Sequence, residues 1–156
     1  MKSYNFVRSR TLLSVVGVTL IFFGAAFAKA AELSWQTDFA QAAKEAAQQH
    51  KYLLLDFTGS DWCPWCIKMD KEVFNQSQFS NFAGKNLILV KLDFPRKTSS
   101  QSAAERSQNE GLAKKYNIEG FPTYVLLDPS GKEVRRQVGY LEGGPTAFIN
   151  WLGLSG

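Results

Sequence analysis

A largely apolar segment, residues 52–57, runs into a short polar turn, and apolar residues at helical spacing follow it over residues 67–74. The run is typical of a buried strand, and the spacing predicts a helix. Cys63 and Cys66, the two cysteines of the chain, lie at the junction, with Pro64 at the expected first helical position, where proline is well tolerated. The sequence therefore predicts that a strand turns into a helix at Cys63, the helix N-cap.

This placement of the cysteine pair favours redox chemistry. Unpaired N–H groups and the positive end of the dipole at a helix N-terminus stabilise an anion, and the thiolate is the form of cysteine that attacks disulfides. A structural staple is the weaker interpretation, because joining residues 63 and 66 closes a loop of four residues, worth only about 2 kcal/mol. A zinc site needs four ligands, and the chain adds only one histidine, His50, which we expect at a helix end. We therefore interpret the cysteines as a redox pair and expect no metal site.

Residues 1–30 have the pattern of a signal peptide. A basic start is followed by an uncharged apolar stretch, residues 11–28, and small residues with A-x-A spacing end at Ala28 and Ala30, which is the pattern of a cleavage site. An uncleaved membrane anchor is the alternative, because the stretch is just long enough to span a bilayer. No cysteine follows the stretch, so we expect no lipid anchor. Either way we expect export to the periplasm, where disulfides persist.

The formal net charge of +4 comes from this N-terminal segment. Four basic residues and no acidic ones lie in residues 1–30, and the other 14 basic residues balance the 14 acidic ones. A nucleic-acid-binding domain needs a basic face, so the composition excludes that class. Residues 31–156 have the length of one domain.

The rest of the chain alternates between helix and strand patterns. Asp38 has a glutamine three residues later, and this spacing predicts the start of a helix. A second continuous apolar segment, residues 87–93, predicts a strand parallel to the first. Together these features predict an α/β domain with a central mixed β-sheet flanked by helices. The remaining predicted elements are a helical segment at 77–83, a strand at 123–127, a turn at 128–131, an antiparallel edge strand at 133–138 and a helix at 145–151.

Three segments together resemble proteins of the thioredoxin fold: residues 57–69 with the cysteine pair, residues 90–95, and the Phe121-Pro122 step before a strand. More narrowly, residues 57–69 and 90–95 resemble the exported bacterial thioredoxin-like proteins of the DsbH kind. The similarity covers about residues 35–152, so residues 31–156 are identified as a thioredoxin-like domain. It implies the thioredoxin fold, disulfide reductase activity, and electrons drawn from a membrane-embedded thiol transporter of the DsbD kind.

The resemblance also implies the roles of four residues. Cys63, at the helix start and nearer solvent, would attack the substrate disulfide, and the shielded Cys66 would resolve the mixed disulfide. Asp56 matches the family's buried carboxylate, which helps to deprotonate the resolving cysteine, and Lys91 matches the lysine that pairs with it. Burial raises the pKa of a carboxyl group, as proton transfer near neutral pH requires. An ordinary strand-end salt bridge is the alternative for Asp56 and Lys91.

The same resemblance assigns a substrate-binding surface. Pro122 resembles the cis-proline that faces the cysteine pair, and the backbone of Phe121 would then pair with an extended substrate. Trp62 and Trp65, with Pro64 beside them, would rim the docking surface, and a place in the core is the alternative for the two tryptophans.

The segment after the second strand is longer than in the smallest members of the family. We interpret residues 94–107 as a solvated insertion, and recognition of a partner is the alternative. Helical spacing resumes over residues 103–116, but Asn109 and Gly111 interrupt it, and both are poor helix formers. We therefore expect a helix only over residues 110–116.

The residues between the cysteines bear on the direction of electron flow. The family's oxidants and isomerases commonly have a histidine there, whereas Pro64 and Trp65 carry no charge, which favours a reductase. A disulfide oxidase or isomerase is one alternative, and a binding or chaperone module without turnover is another. We expect protein or peptide disulfides as substrates, no bound cofactor, since no nucleotide-binding glycine pattern is present, and a monomer.

Overall fold

The computed structural model describes Met1, residues 33–97 and residues 101–154. These residues form one five-stranded sheet in the order β1-β3-β2-β4-β5, with helices on both faces. The strands are β1 Trp35–Gln36, β2 Tyr52–Thr58, β3 Leu87–Asp93, β4 Thr123–Leu127 and β5 Glu133–Val138. The helices are α1 Phe39–Gln49, α2 Pro64–Met69, α3 Ser77–Asn86, α4 Ala103–Lys115 and α5 Gly144–Leu152.

The sheet is mixed, as the sequence predicts. Strand β2 runs parallel to β3 and antiparallel to β4, and β5 pairs antiparallel with β4 at the edge. The predicted parallel pair, hairpin and edge strand are therefore confirmed. Strand β1, which pairs with residues 89–90 of β3, was not predicted, because a two-residue strand is too short to show an alternating pattern.

Successive side chains along each strand point to opposite faces of the sheet, so the core has two layers. On one face, Leu53, Leu55 and Phe57 of β2 pack with residues of α1 and α4. On the other face, Leu54 packs with residues of α2, α3 and α5. Since side chains two apart share a face, Asp56 points to the same side as Leu54, toward the helix that carries the cysteines.

The local signals at the ends of elements agree with the structure. Asp38 is the N-cap of α1, where its Oδ1 accepts the backbone N–H of Gln41 at 3.0 Å. His50 is the C-cap of the same helix, in the left-handed region at φ 54°. The hairpin turn ends at Gly131, whose φ of +86° is costly for other residues.

Helix α4 is longer than the sequence predicts: it begins at Ala103, not near residue 110. Its N-cap is Ser102, whose hydroxyl accepts the backbone N–H of Glu105 at 3.1 Å. Asn109 is buried within the helix, and its Nδ2 donates to the backbone oxygen of Asp93 at 3.0 Å. A tertiary hydrogen bond therefore offsets the low helix propensity of asparagine, and propensity alone misplaces the helix start.

The helix that begins after Cys63 changes its pitch half-way. Residues 64–69 are α-helical, and Asp70–Phe74 form a π-helical turn in which the N–H of Asn75 donates to the oxygen of Asp70 at 2.8 Å. The predicted helix over residues 67–74 is thus confirmed in extent, with one wide turn. Such turns occur frequently at functional sites.

The expected signal peptide and its cleavage sites lie almost wholly outside the described residues. In the described ranges, no helix is long and apolar enough to cross a bilayer.

Candidate active site

The two cysteines form a disulfide at the start of α2, with their Cα atoms 5.3 Å apart. Cys63 is the N-cap, and its Sγ accepts the backbone N–H of Cys66 at 3.2 Å. The N–H of Cys63 donates in turn to the oxygen of Gly59 at 2.9 Å, which closes the preceding turn. The predicted strand-to-helix junction with Cys63 as its cap is confirmed.

Both sulfur-bearing residues are buried in this disulfide form. Cys63 is 3% exposed and Cys66 is 2% exposed, so the expected greater exposure of Cys63 is not found here. The reason is local, because the disulfide and the N–H of Cys66 both direct the Cys63 sulfur toward the first helical turn. In the disulfide form, neither sulfur is therefore widely open to solvent.

Two tryptophans flank the disulfide in different environments. Trp62 is half-buried: its Nε1 donates to the oxygen of Phe94 at 2.8 Å, and its ring meets Phe121 edge-on at 5.8 Å. Trp65 is 52% exposed and lies 5.4 Å from the ring of Tyr140. Neither tryptophan belongs to the two buried core clusters.

The Phe121–Pro122 peptide bond is cis, as expected from the family resemblance. Pro122 is buried, and its oxygen accepts the N–H of Gly139 at 2.8 Å. Phe121 remains half-buried between Trp62 and Phe94, whose ring centroid is 5.1 Å away. The structure thus joins two of the predicted substrate-binding residues, Trp62 and Phe121, in one aromatic group.

Asp56 is a buried acid beneath the cysteine helix. It is 1% exposed, and its Oδ1 has no hydrogen-bond partner in the part of the chain that the structure describes. Burial raises the pKa of Asp56 from 3.8 to about 8, against the attraction of Lys91, which lowers it. A carboxyl group with a pKa near neutrality can both give and take a proton under physiological conditions.

The expected ion pair between Lys91 and Asp56 is not present. Lys91 lies beside Asp56 in the parallel register of β3 and β2, but its Nζ binds Asp70, at 3.1 Å from Oδ1 and 3.3 Å from Oδ2. The side chains of Lys91 and Asp70 are 25% and 27% exposed, so both charges keep part of their hydration. A pair with the fully buried Asp56 would remove that hydration.

The turn that precedes the cysteines is held by the chain after β3. The carboxylate of Asp93 accepts both the N–H and the hydroxyl of Ser60, at 2.9 and 2.5 Å. The carboxylate of Asp61 accepts the N–H groups of Arg96 and Lys97, at 2.9 and 3.1 Å. The first residues of the predicted solvated insertion are therefore bound to the active-site turn.

A family model for thioredoxin-like domains matches residues 39–154 of the chain. The chain belongs to the thioredoxin-like family. This thioredoxin-like protein is 41% identical over 121 residues to the disulfide bond reductase DsbH of Chlamydia pneumoniae, covering 78% of this chain and 71% of that protein. A solved structure of a DsbH oxidoreductase is 40% identical, with a TM-score of 0.73 over 79% of this chain and 83% of the other.

Two more distant similarities extend the comparison. The chain is 31% identical over 111 residues to the thiol:disulfide interchange protein DsbD of Actinobacillus pleuropneumoniae, but it spans only 17% of DsbD. A thioredoxin from Thermus thermophilus, at 22% identity, shares the fold with a TM-score of 0.58 over 78% of this chain and 85% of the other. With its Cys63–Cys66 pair, this thioredoxin-like protein is a disulfide oxidoreductase.

Some residues at the site were not found from the sequence. Asp70 had a usable signal, since it lies four residues after Cys66 and therefore on the same helix face. Tyr140 had none, because a loop distant in sequence brings its ring to Trp65. Phe94 lies in the segment 90–95 that resembles the family and at the start of the predicted insertion, but the sequence assigns it no role at the site. In the structure its ring contacts Phe121, and its oxygen accepts the Nε1–H of Trp62.

Proposed function

We propose that this domain reduces disulfides of exported proteins, with Cys63 as the nucleophile. One observation carries the proposal: the Cys63–Cys66 pair caps a helix, and no cation stands between its members. The helix N-terminus stabilises the Cys63 thiolate, but without a neighbouring histidine the stabilisation stays moderate. A less stabilised dithiol gives up its electrons more readily. The 41% identity to a protein named disulfide bond reductase supports the same direction.

The reaction consists of two exchanges of sulfur partners. The Cys63 thiolate attacks one sulfur of the substrate disulfide, a mixed disulfide forms, and the other substrate sulfur leaves as a thiolate. Cys66 then loses its proton and attacks the Cys63 sulfur, which releases the second substrate thiolate. Two electrons have passed to the substrate, its thiolates take up protons, and the enzyme is left with the Cys63–Cys66 disulfide.

Asp56 is suited to hold the proton of Cys66 during these steps. It faces the helix that carries Cys66, and its pKa of about 8 lies near that of a thiol. As a carboxylate, Asp56 accepts the proton when Cys66 attacks the mixed disulfide. As a neutral acid, it returns the proton when a donor thiolate opens the Cys63–Cys66 disulfide and Cys66 leaves.

The substrate would lie along the cis-proline step. Neither the N–H nor the oxygen of Phe121 has a hydrogen bond within the described residues, so both are free to pair with an extended peptide. The exposed ring of Trp65, the half-buried ring of Tyr140 beside it and the exposed Val138 supply apolar contacts around the pair. Pro64 is exposed between the cysteines. We assign Trp62 a supporting role, because its ring packs edge-on against the ring of Phe121.

The reducing equivalents would come from a membrane-embedded thiol transporter of the DsbD kind. The signal-peptide pattern of residues 1–30 supports export, and an exported reductase needs a source of electrons across the membrane. Similarity to part of DsbD supports a place in the same class of pathways.

The reduction potential tests the direction of electron flow. Equilibration of the purified protein with glutathione of known redox ratio should give a potential near that of thioredoxin, about −270 mV. A value near that of DsbA, about −120 mV, would show that the domain is an oxidant.

Trapping tests the roles of the two cysteines. The Cys66→Ala variant should accumulate mixed disulfides with exported proteins in cells, because Cys63 attacks and nothing resolves the product. The Cys63→Ala variant is the matched control and should accumulate none. Equal trapping by both variants, or by neither, would contradict the assignment of Cys63 as nucleophile.

A further inference from the structure

The ion pair between Lys91 and Asp70 stands directly beside the buried acid of the site. Lys91 is the register partner of Asp56 on the neighbouring parallel strand, and such strands lie about 4.8 Å apart. Its Nζ nevertheless binds Asp70, which follows Cys66 by one helical turn and donates its N–H to the Cys66 oxygen. The ring of Trp35 also faces Lys91, at 5.4 Å from Nζ. The lysine is thus held between the helix and β1 rather than at Asp56.

The charged groups around Asp56 come from three packed elements. Lys91 and Asp93 on β3 and Asp70 on the helix all act on it electrostatically, and Tyr124 is its register partner on β4. Lys91 is the only cation among the groups that act on Asp56 in the described part of the chain, and its charge is shared with Asp70. Within the described residues, Oδ1 of Asp56 has no hydrogen-bond partner, so no other side chain there has taken the place of the lysine at this oxygen.

We propose that Asp70 is a positioning residue for proton transfer at the cysteine pair: by binding Lys91, it keeps the lysine from forming an ion pair with Asp56. This inference rests on the proposed exchange of a proton between Asp56 and Cys66. An ion-paired Asp56 would stay a carboxylate, and a carboxylate cannot return a proton to Cys66. Asp70 therefore preserves the neutral acid that the opening of the disulfide requires.

The consequence is clearest when a donor reduces the enzyme. The donor thiolate bonds to the Cys63 sulfur, the Cys63–Cys66 bond breaks, and Cys66 leaves with the electron pair of that bond. The proton of Asp56 passes to the Cys66 thiolate, and Asp56 becomes a carboxylate beside Lys91. Before this step, Asp70 favours the protonated form of Asp56. After it, the nearby charge of Lys91 lowers the free energy of the Asp56 carboxylate.

Two substitutions should move the pKa of Asp56 in opposite directions. Asp70→Asn removes a like charge and frees Lys91, so the pKa should fall, on the order of one pH unit. Lys91→Met removes the cation, so the pKa should rise above the wild-type value. Glu72→Gln is the matched control on the same helix, because Glu72 bonds to Tyr140 rather than to Lys91, and it should leave the pKa unchanged.

The measurement is a carboxyl ¹³C NMR titration of the full chain in its disulfide form. The chain contains six aspartates, and the signal that Asp56→Asn removes identifies Asp56. In the Lys91→Met background, Asp70→Asn should shift the pKa less than in the wild type, because the lysine through which Asp70 acts is gone. An Asp70→Asn shift no larger than that of Glu72→Gln, or equal shifts in both backgrounds, would overturn the proposal.

A second readout connects the pair with turnover. The pH dependence of the rate at which a dithiol donor reduces the Cys63–Cys66 disulfide should shift to lower pH in Asp70→Asn, in parallel with the NMR titration. If the titration shifts and the rate profile does not, Asp70 controls Asp56 but Asp56 does not serve Cys66, and the proposed proton exchange fails. If the titration does not shift, the inference about Asp70 fails while the proposed reductase activity stands.

Discussion

Replacement of Asp56 by asparagine should make the protein more resistant to alkaline conditions. The folded protein holds the Asp56 proton more tightly than the unfolded chain, since the pKa rises from 3.8 to about 8 on folding. A raised pKa of an acid stabilises the folded state fully below the unfolded pKa, and this contribution is lost as the pH rises through the folded pKa. Asparagine cannot ionise, so the variant does not lose this stability as the pH rises.

The size of the effect follows from the same two pKa values. Each pKa unit corresponds to about 1.4 kcal/mol, so a neutral Asp56 contributes on the order of 4 kcal/mol at pH 5 and almost nothing at pH 9. The free energy of unfolding of the wild type, relative to Asp56→Asn, should therefore fall by about 4 kcal/mol over this range. Differences in packing between the two side chains cancel in the comparison.

Urea denaturation at several pH values, with the disulfide intact, measures this difference. Asp128→Asn is the matched control, because the pKa of Asp128 lies below its ordinary value, owing to hydrogen bonds from the Ser130 side chain and from backbone N–H groups. Asp128 is therefore a carboxylate throughout this range, and its variant should follow the pH dependence of the wild type. A change of less than about 1 kcal/mol between wild type and Asp56→Asn would refute a buried, neutral Asp56.

Three further substitutions test other parts of the site. In Gly59→Ala, the new Cβ would come within 2.5 Å of the Trp62 ring, so urea denaturation should show a loss of about 1–3 kcal/mol and tryptophan fluorescence should change. Trp65→His places a cation beside the Cys63 thiolate and should raise the reduction potential by on the order of 30 mV at pH 6. Trp65→Phe should leave the potential unchanged, and equal potentials in the two variants would contradict the argument on electron flow. Ser102→Ala removes the N-cap of α4 and should lower the free energy of unfolding by about 1 kcal/mol, and an unchanged urea midpoint would show that the cap is dispensable.

The parts of the fold that could be predicted from the sequence are those with a local cause. The capping side chain of Asp38, the apolar run of β2 and the cysteine-proline start of α2 each lie within a few residues of the feature that they determine. The start of α4 also had a local signal, since Ser102 caps the helix and Glu105 follows three residues later. The prediction placed the start too late because the low helix propensity of Asn109 is offset by its hydrogen bond to the distant Asp93, which the sequence does not show.

The candidate site shows the same limit. The cysteine pair and the cis-proline step could be predicted, since short motifs identify them. The partner of Lys91 could not, because Asp56 and Asp70 both lie within its reach and the choice depends on hydration, which no spacing in the sequence reports. The contact of Trp65 with Tyr140 depends on how a distant loop folds back.

The wide turn at Asp70–Phe74 allows one helix to meet two requirements that a uniform helix could not. In the wide turn the backbone hydrogen bond joins residue i to residue i+5 instead of i+4, so the chain rotates less per residue and Phe74 lies at a different angle around the helix axis than in a uniform α-helix. There its ring packs against Trp35, Phe79, Tyr124 and Phe148. If the helix had a single pitch throughout, the orientation that suits the two cysteines would place the Phe74 ring at a different angle to the core. The wide turn allows both to be placed correctly.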